Sequence, residues 1–305
     1  MVWIAGGTFR MGSDRHYPEE APVHERSVGG FWMDRAPVTV GDFARFVKAT
    51  GYRTVAERPP RPEDYPGADP ALLVPGSVVF TPPGSRAEMR FWGDWWRFVP
   101  GACWRDPDGS GAAPDPRHPV VQVCHEDAAA YAAWAGKALP TEVEWEFAAQ
   151  GAAGGTEFAW GDDLAPGGRH LANTWQGEFP FENRVEDGFA GTSPVGSFPP
   201  NAHGLVDMIG NVWEWTDEDW RSGHPREATR PCCTPGPAPR VPEPAQGPLG
   251  GPMPRKVIKG GSHLCAPNYC HRYRPAARQP QSVETGTTHV GFRCIVRPDM
   301  APART

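Results

Sequence analysis

Two cysteines near the C-terminal end are the residues best placed to do chemistry. In the stretch GGSHLCAPNYCHRYRPAAR, residues 260–278, Cys265 and Cys270 lie five positions apart. Four interpretations are open: a disulfide, a metal clamp, a redox pair, or two core residues that merely pack. A structural zinc site would need four ligands, and Cys294 and the histidines stand at no recognisable zinc spacing. Two thiolates alone suit a soft ion of low coordination number, of which Cu(I) is the natural example.

The remaining cysteines do not form a recognisable disulfide framework. The chain has seven cysteines, an odd number, and its start, MVWIAGGTFRMGS, lacks the basic and apolar segments of a secretion signal. We therefore expect a cytoplasmic protein whose clustered thiols serve metal or redox chemistry. Cys232 and Cys233 are adjacent within a proline-rich segment, and we interpret them as loop residues.

Three further segments carry polar groups that could bind a metal. Residues 173–191 and 204–220 mix carboxylates, amides and glycines, as loops that bind hard cations do. Ordinary polar loops have the same composition, so composition alone favours a loop. His125 and Asp127 form an H-x-D pattern, which is part of a two-histidine, one-carboxylate iron site. A helix that begins here explains these charges without a metal.

These residues must be positioned by a chain with little regular structure. Its 305 residues include 36 glycines and 37 prolines, but also 13 tryptophans and 14 phenylalanines. This composition indicates a loop-rich α+β domain with an aromatic core, which we predict as a single domain over residues 1–305. A net charge of −6 argues against a nucleic-acid-binding face, and no apolar run is long enough to cross a membrane.

Only a few segments show the periodicity or capping residues of regular elements. Three are predicted as helices: 38–51, 125–136 and 139–151. Thr39 and Gly51 are expected to cap the first, and Thr141 with Glu144 forms a capping box for the third. Two segments are predicted as strands: 119–124 and 289–296. Two proline-rich segments are predicted as long loops: 57–90 and 222–256.

Five motifs together resemble the formylglycine-generating enzymes, also called sulfatase-modifying factors. They are AGGTFRMGS, LPTEVEWEFAAQG, GNVWEWT, KGGSHLCAPNYCHRYRPAAR and GFRC. The resemblance covers about residues 4–296 and includes close similarity to actinobacterial members. The cysteine-containing motif is the most specific, because the others occur in a wider superfamily. The resemblance implies a compact fold with little regular secondary structure, related to C-type lectins.

The resemblance also implies a reaction. Members of this family convert a cysteine within a C-x-P-x-R-like motif of an unfolded sulfatase to Cα-formylglycine. They use dioxygen as the oxidant and need a thiol or another reductant. Cys265 and Cys270 match the pair that binds Cu(I), and Ser262 matches the active-site serine.

Two structural calcium sites are implied by the same resemblance. The first consists of Asn173, Thr174, Asp187 and Phe189. The second consists of Asp207, Gly210, Val212 and Glu214. Relatives often have Asn where this chain has Asp207, which keeps an oxygen ligand and adds a charge. Bound calcium would hold loops in place.

Two other functions are weighed against the oxidase. A non-catalytic, lectin-like binding module would share the widespread motifs, but many such members lack both cysteines that this chain has. The iron-dependent sulfoxide synthases of the superfamily carry an additional helical domain with a histidine cluster. The family resemblance begins here almost at residue 1, which argues against that domain.

Overall fold

The structure is a computed structural model. It describes residues 1–64, 67, 69–70, 73–85, 94–151, 154–224 and 254–300. Cys232, Cys233 and most of the predicted loop 222–256 lie outside the described residues. No helix in the described part of the chain is both long and apolar enough to span a membrane.

The predicted helices all form, and local capping sets where each begins. Their bounds are α1 Val40–Thr50, α2 His125–Trp134 and α3 Glu142–Gln150. The Thr39 side chain accepts a hydrogen bond from the backbone N–H of Asp42, and Gly51 ends α1 in a left-handed conformation. Thr141 and Glu144 form the expected capping box at α3. The described residues also form short 3-10 helices at Pro18–Glu20, Val55–Glu57, Pro62–Asp64 and Pro166–Gly168.

The strands are short and form several small sheets. Their bounds are β1 Val2–Ile4, β2 Gly7–Met11, β3 His24–Val28, β4 Phe31–Met33, β5 Gly76–Phe80, β6 Trp96–Pro100, β7 Trp213–Asp219, β8 Arg255–Lys259, β9 Arg278–Ser282, β10 Val290–Gly291 and β11 Ile295–Val296. The described residues form sheets in the orders β1-β4-β11 and β10-β7-β8-β9, with separate pairs β2-β3 and β5-β6. Among the strands of the described residues, β10 and β7 pair in parallel and the other pairs are antiparallel. The predicted α+β class is confirmed.

The predicted strand over 119–124 is wrong, although the segment is buried as expected. Only Pro119 takes part in an isolated bridge. Gln122 has a φ of 59°, which breaks an extended run. Its side-chain amide donates to the carbonyl of Pro107 at 2.7 Å and accepts from the Ser77 hydroxyl at 2.6 Å. The segment is therefore held by side-chain hydrogen bonds, and its apolar run reflects burial alone.

Two other predictions hold only in part. The strand over 289–296 is divided into β10 and β11, because the chain between them turns the Arg293 side chain inward to Glu214. The predicted loop over 57–90 contains β5, which pairs with β6 in an antiparallel register. This pairing depends on residues distant in sequence, so local composition did not indicate it.

Buried ion pairs fix both ends of the cysteine-containing segment. The pairs are Lys259–Glu146 at 2.8 Å, Arg274–Glu20 at 2.6 Å and Arg278–Glu142 at 2.7 Å. All six side chains are almost completely buried. A buried charge without its partner is costly, so each pair specifies one position for its backbone. The segment between β8 and β9 is thereby attached to α3 and to the turn at Pro18–Glu20.

Candidate active site

Two glycines direct the chain from β8 into the cysteine-containing segment. After Lys259, both Gly260 and Gly261 have positive φ, at 93° and 71°. A Cβ on Gly260 would lie 2.8 Å from the Met208 carbonyl oxygen, and one on Gly261 would lie 2.9 Å from that of Arg272. Other residues fit neither the conformation nor the space. The GG pair therefore permits the tight packing that brings the segment back on itself.

The structure brings Cys265 and Cys270 together as two free, buried thiols. Their sulfur atoms are 3.2 Å apart, well beyond the bond length of about 2.05 Å in a disulfide. The backbone N–H of Cys265 donates to the Ser262 carbonyl at 2.9 Å, and that of Cys270 donates to the Ala266 carbonyl at 2.8 Å. These turns present both sulfurs on the same side of the backbone, as a shared soft ion requires.

The two thiols differ electrostatically. The pKa of Cys270 is lowered by the hydrogen bond from the Cys265 thiol and by the Arg272 guanidinium, whose Nη1 is 3.9 Å from the Cys270 sulfur. Burial raises the pKa of Cys265. Arg272 is held by Glu19 at 2.7 Å and lies over the Tyr17 ring at 3.7 Å. Cys270 is thus the thiol that ionises more readily, and Cys265 donates a hydrogen bond to it.

A cleft of about 380 Å³ ends at these thiols. Its walls include Trp95, Trp96, Phe179, Ser262, Tyr269, Arg272 and His289. The rings of Phe179 and Tyr269 stack at 4.3 Å, and Trp95 meets both edge-on. The buried hydroxyl oxygen of Ser262 accepts from the N–H of Leu264 at 3.2 Å. The cleft can receive an extended chain and exclude water from the two sulfurs.

Sequence reasoning missed the aromatic walls of this cleft. Trp95 belongs to the run WW and Phe179 to the run FPF, and both runs were visible as unexplained aromatic clusters. Tyr269 and Arg272 lie within the cysteine motif itself but received no role. Tyr17, which contacts Arg272, gave no signal, because no local pattern relates it to a residue so far along the chain.

The first predicted calcium set is brought together around Asn173. Its Oδ1 is buried and has no hydrogen-bond partner among the described residues. Asp187 accepts from the N–H groups of Thr174 at 3.0 Å and Phe189 at 2.9 Å. The Gln176 amide nitrogen donates to Asp187 at 2.8 Å and also contacts the Thr174 carbonyl. A buried amide oxygen without a partner in the described residues is available to a hard cation.

The two carboxylates of the second predicted calcium set, Asp207 and Glu214, differ in how well they suit a cation. The remaining predicted ligands of this set are the backbone carbonyls of Gly210 and Val212, in the turn before β7. Burial raises the pKa of Asp207 to about 6, and within the described residues its carboxylate accepts a hydrogen bond from the N–H of Gly196 at 2.7 Å. Glu214 instead accepts two 2.7 Å hydrogen bonds from Arg293 and one from Trp145. Asp207 therefore fits a cation, whereas the charge of Glu214 is already balanced.

The H-x-D pattern is used for local structure. Asp127 accepts from the N–H of Cys124 at 2.9 Å and that of Val55 at 3.0 Å, and so caps α2. The His125 Nε2 lies 3.4 Å from the exposed Asp217. Across the described ranges, a three-residue cluster suited to a metal occurs elsewhere, formed by His16, Glu157 and His271.

Comparisons with known proteins identify which family this chain is similar to. A family model described as "Sulfatase-modifying factor enzyme 1-like domain" matches residues 1–298. The formylglycine-generating enzyme of Mycobacterium tuberculosis is 54% identical over 301 residues, which cover 98% of each chain. That of Thermomonospora curvata is 44% identical over 305 residues, which cover 98% of this chain and 93% of that protein.

A more distant relative and a solved structure set limits on what similarity implies. The bovine "Inactive C-alpha-formylglycine-generating enzyme 2" is 36% identical over 304 residues, covering 96% of this chain and 87% of that protein. The structure of PvdO from Pseudomonas aeruginosa has a TM-score of 0.62 at 23% identity, covering 97% of this chain and 93% of that one. At that identity it supports the fold alone. From the family match and the close relatives, this chain belongs to the sulfatase-modifying factor family.

Proposed function

We propose that this protein is a formylglycine-generating enzyme, which oxidises a cysteine of a sulfatase to Cα-formylglycine. Its relatives of that name are 54% and 44% identical over nearly the whole chain. The observation that carries the proposal is the pair of free thiols, 3.2 Å apart, at the end of an aromatic cleft. The substrate is an unfolded segment with a C-x-P-x-R motif, and the reaction takes place in the cytoplasm.

The proposed reaction requires a reductant in addition to dioxygen. Converting –CH₂SH to –CHO releases H₂S and removes two electrons, whereas dioxygen takes up four on reduction to water. Two further electrons must come from a reductant, and two thiols supply them by forming one disulfide. The balanced reaction consumes one cysteine, one O₂ and two thiols, and yields the aldehyde, H₂S, one water and one disulfide.

Cys265 and Cys270 are the residues that would hold Cu(I), because thiolates are soft ligands. When bound, the ion supplies the one-electron chemistry with dioxygen that side chains lack. The lowered pKa of Cys270 favours the ligand form, since metal binding requires deprotonation. Burial of both sulfurs in the cleft limits their exposure to bulk oxidants.

The cleft provides the groups that would orient the substrate. Phe179, Tyr269 and Trp95 form an apolar wall for the peptide. Trp95 also has a buried indole N–H with no hydrogen-bond partner among the described residues, so it is available as a donor. Ser262 holds its hydroxyl at the same end of the cleft as the thiols. We assign it to hydrogen bonding with substrate or with oxygen.

Calcium ions are proposed at both predicted sites as structural ions. The support is the Oδ1 of Asn173 at the first site, which has no hydrogen-bond partner in the described ranges, and the buried carboxylate of Asp207 at the second. Both lie in loops that precede β7. Bound calcium would stabilise these loops beside the core without entering the reaction.

The test is conversion of a peptide that contains Cys-Thr-Pro-Ser-Arg. The reduced protein is loaded with Cu(I) and supplied with air and a thiol, and mass spectrometry follows the loss of the thiol and the gain of the aldehyde. We expect product that disappears with a copper chelator. Cys265→Ser and Cys270→Ser should abolish it, whereas Cys124→Ser, another buried free thiol, should not.

Each contrary result has a defined meaning. Absence of product from the folded, copper-loaded protein would refute the enzymatic function. Peptide binding without conversion would favour the non-catalytic module. Conversion unaffected by the chelator, or by Cys270→Ser, would refute copper bound by the thiol pair.

A further inference from the structure

Three potential metal ligands from distant parts of the chain meet beside the cysteine segment, and none of them lines the thiol cleft. His16 lies between β2 and β3, Glu157 follows α3, and His271 directly follows Cys270. The Nε2 atoms of His16 and His271 lie 3.0 and 3.9 Å from the Oε1 atom of Glu157. All three ligand atoms lie within 4.8 Å of one another.

The contact between His16 and Glu157 is not an ordinary hydrogen bond. The Nε2 atom of His16 is buried and has no hydrogen-bond partner in the described part of the molecule, although it lies 3.0 Å from the carboxylate of Glu157. This nitrogen is therefore available to an ion that the carboxylate also contacts.

The surrounding packing holds the two rings in place. The His16 and His271 rings meet edge-on at 5.3 Å, and Tyr273 meets His271 edge-on at 5.0 Å. The backbone N–H of His271 donates to the Tyr17 hydroxyl at 3.1 Å. The ligand side chains are largely shielded, with exposed fractions of 19% for His16, 15% for Glu157 and 34% for His271. A fixed, partly dry set of ligands binds an ion with little loss of entropy.

The positive charge of the nearby Arg15 opposes the binding of a cation only weakly. Arg15 contacts the other oxygen of Glu157, Oε2, at 3.3 Å, and its side chain is 63% exposed. Such exposed ion pairs contribute little. The second nearby guanidinium, that of Arg274, is paired with the buried Glu20. Oε1 of Glu157 therefore remains available to an ion between the two histidines.

We propose that His16, Glu157 and His271 form a second metal site, which binds a divalent ion of intermediate softness such as Zn²⁺. Ligands at about 2.0–2.1 Å from a tetrahedral ion lie roughly 3.3 Å apart. The observed distances of 3.0 and 3.9 Å lie on either side of that value, so small side-chain rotations suffice. Three protein ligands leave a fourth position for water, supplied from an adjoining pocket of about 320 Å³ that includes His16 and Glu157.

This site is separate in chemistry from the thiol pair. Imidazole and carboxylate ligands suit zinc, whereas two thiolates suit Cu(I). A bound ion would link the loop at residue 16 and the loop at residue 157 to the residue after Cys270. The site therefore cross-links the cysteine segment at His271, and this inference does not depend on the reaction proposed above.

The experiment titrates metal-free, reduced full-length protein with Co²⁺, a spectroscopic probe for zinc sites, and then displaces it with Zn²⁺. We expect one equivalent with weak visible bands and no intense near-ultraviolet thiolate band at that step. Glu157→Gln and His16→Gln should weaken binding at least tenfold. The matched control is His170→Gln, which alters a different His–Glu pair, His170 with Glu186 at 3.5 Å, and should bind as the wild type does.

The spectrum and the variants together decide the outcome. Cobalt bound only with a thiolate band would overturn the proposal, because the ion would then occupy the cysteines. Equal affinity in Glu157→Gln, His16→Gln and wild type would also overturn it. Thermal melting of each metal-free variant shows whether it is folded, and His16→Gln serves if Glu157→Gln is not.

Discussion

Replacing Arg272 by methionine should raise the pKa of Cys270. The guanidinium Nη1 lies 3.9 Å from the sulfur and is one of the groups that lower its pKa. Methionine keeps the apolar stem that packs near Tyr17 but removes the charge. It also leaves Glu19 without its 2.7 Å partner, and this unpaired negative charge raises the thiol pKa further.

The size of the effect follows from the distance. Two unit charges about 4 Å apart interact with about 4 kcal/mol at an effective dielectric constant of 20. The Arg272 side chain is 20% exposed and shares its charge with Glu19, so solvent and this pairing reduce the interaction. We expect a rise of about one to two pKa units, since one unit corresponds to about 1.4 kcal/mol. The thiolate fraction below the midpoint then falls about 10- to 100-fold.

Alkylation kinetics measure this shift directly. The metal-free, reduced protein is treated with chloroacetamide between about pH 5.5 and 9.5, and fragment mass spectrometry locates the adduct on Cys270. The rate follows the thiolate, so its midpoint reports the pKa. Arg105→Met is the matched control, because Arg105 also lies over an aromatic ring, that of Trp104 at 4.2 Å, and pairs with a glutamate. An unchanged midpoint in Arg272→Met, or an equal shift in the control, would refute the reasoning.

Three further predictions concern stability. Arg293→Met should lower the free energy of unfolding by about 3–5 kcal/mol, because it leaves Glu214 buried and without its cation. Adding Glu214→Gln should recover part of the lost stability in urea titrations, and no recovery would contradict the pairing. Burial lowers the pKa of His224 to about 3, below the value of about 6.5 in the unfolded chain. The unfolded state therefore binds more protons below pH 6.5, and the free energy of unfolding falls as the pH falls. His224→Gln should remove up to about 2.7 kcal/mol of the stability that is lost between pH 7.5 and 4.5. An unchanged loss of stability in this variant would show that His224 is not its source. Removing calcium with EGTA should lower the melting temperature of the wild type, and Asn173→Ala should reduce that response by the share of the first site; an equal response in both would exclude the first calcium site.

The parts of the fold that sequence predicted are those that local residues determine. Thr39 and Thr141 start helices through contacts three residues away, and Gly51 ends one through its own conformation. The segment 119–124 shows the limit. An apolar run indicates burial, but whether it is a strand depends on partners such as Ser77, whose bond to Gln122 spans 45 positions.

The candidate site shows the same division. Cys265 and Cys270 are close in sequence, so the turn that joins them follows from the local chain. The electrostatic partner Glu19, by contrast, meets Arg272 across 253 positions. No local pattern relates such residues, and only the folded chain shows that the thiol pair has a positive neighbour held by Glu19 of the turn Pro18–Glu20.

Precise placement of the two thiols rests on buried charges more than on regular structure. The segment between β8 and β9 has no helix or strand of its own in the described residues. Lys259 at its start contacts both Glu146 and Glu142, and Arg278 at its end shares Glu142. One side chain of α3 therefore fixes the spacing between the two ends of the segment. Because both cations lose a partner together, Glu142→Gln should disturb thiol geometry as well as stability, which links the fold of this helix to the chemistry of the cleft.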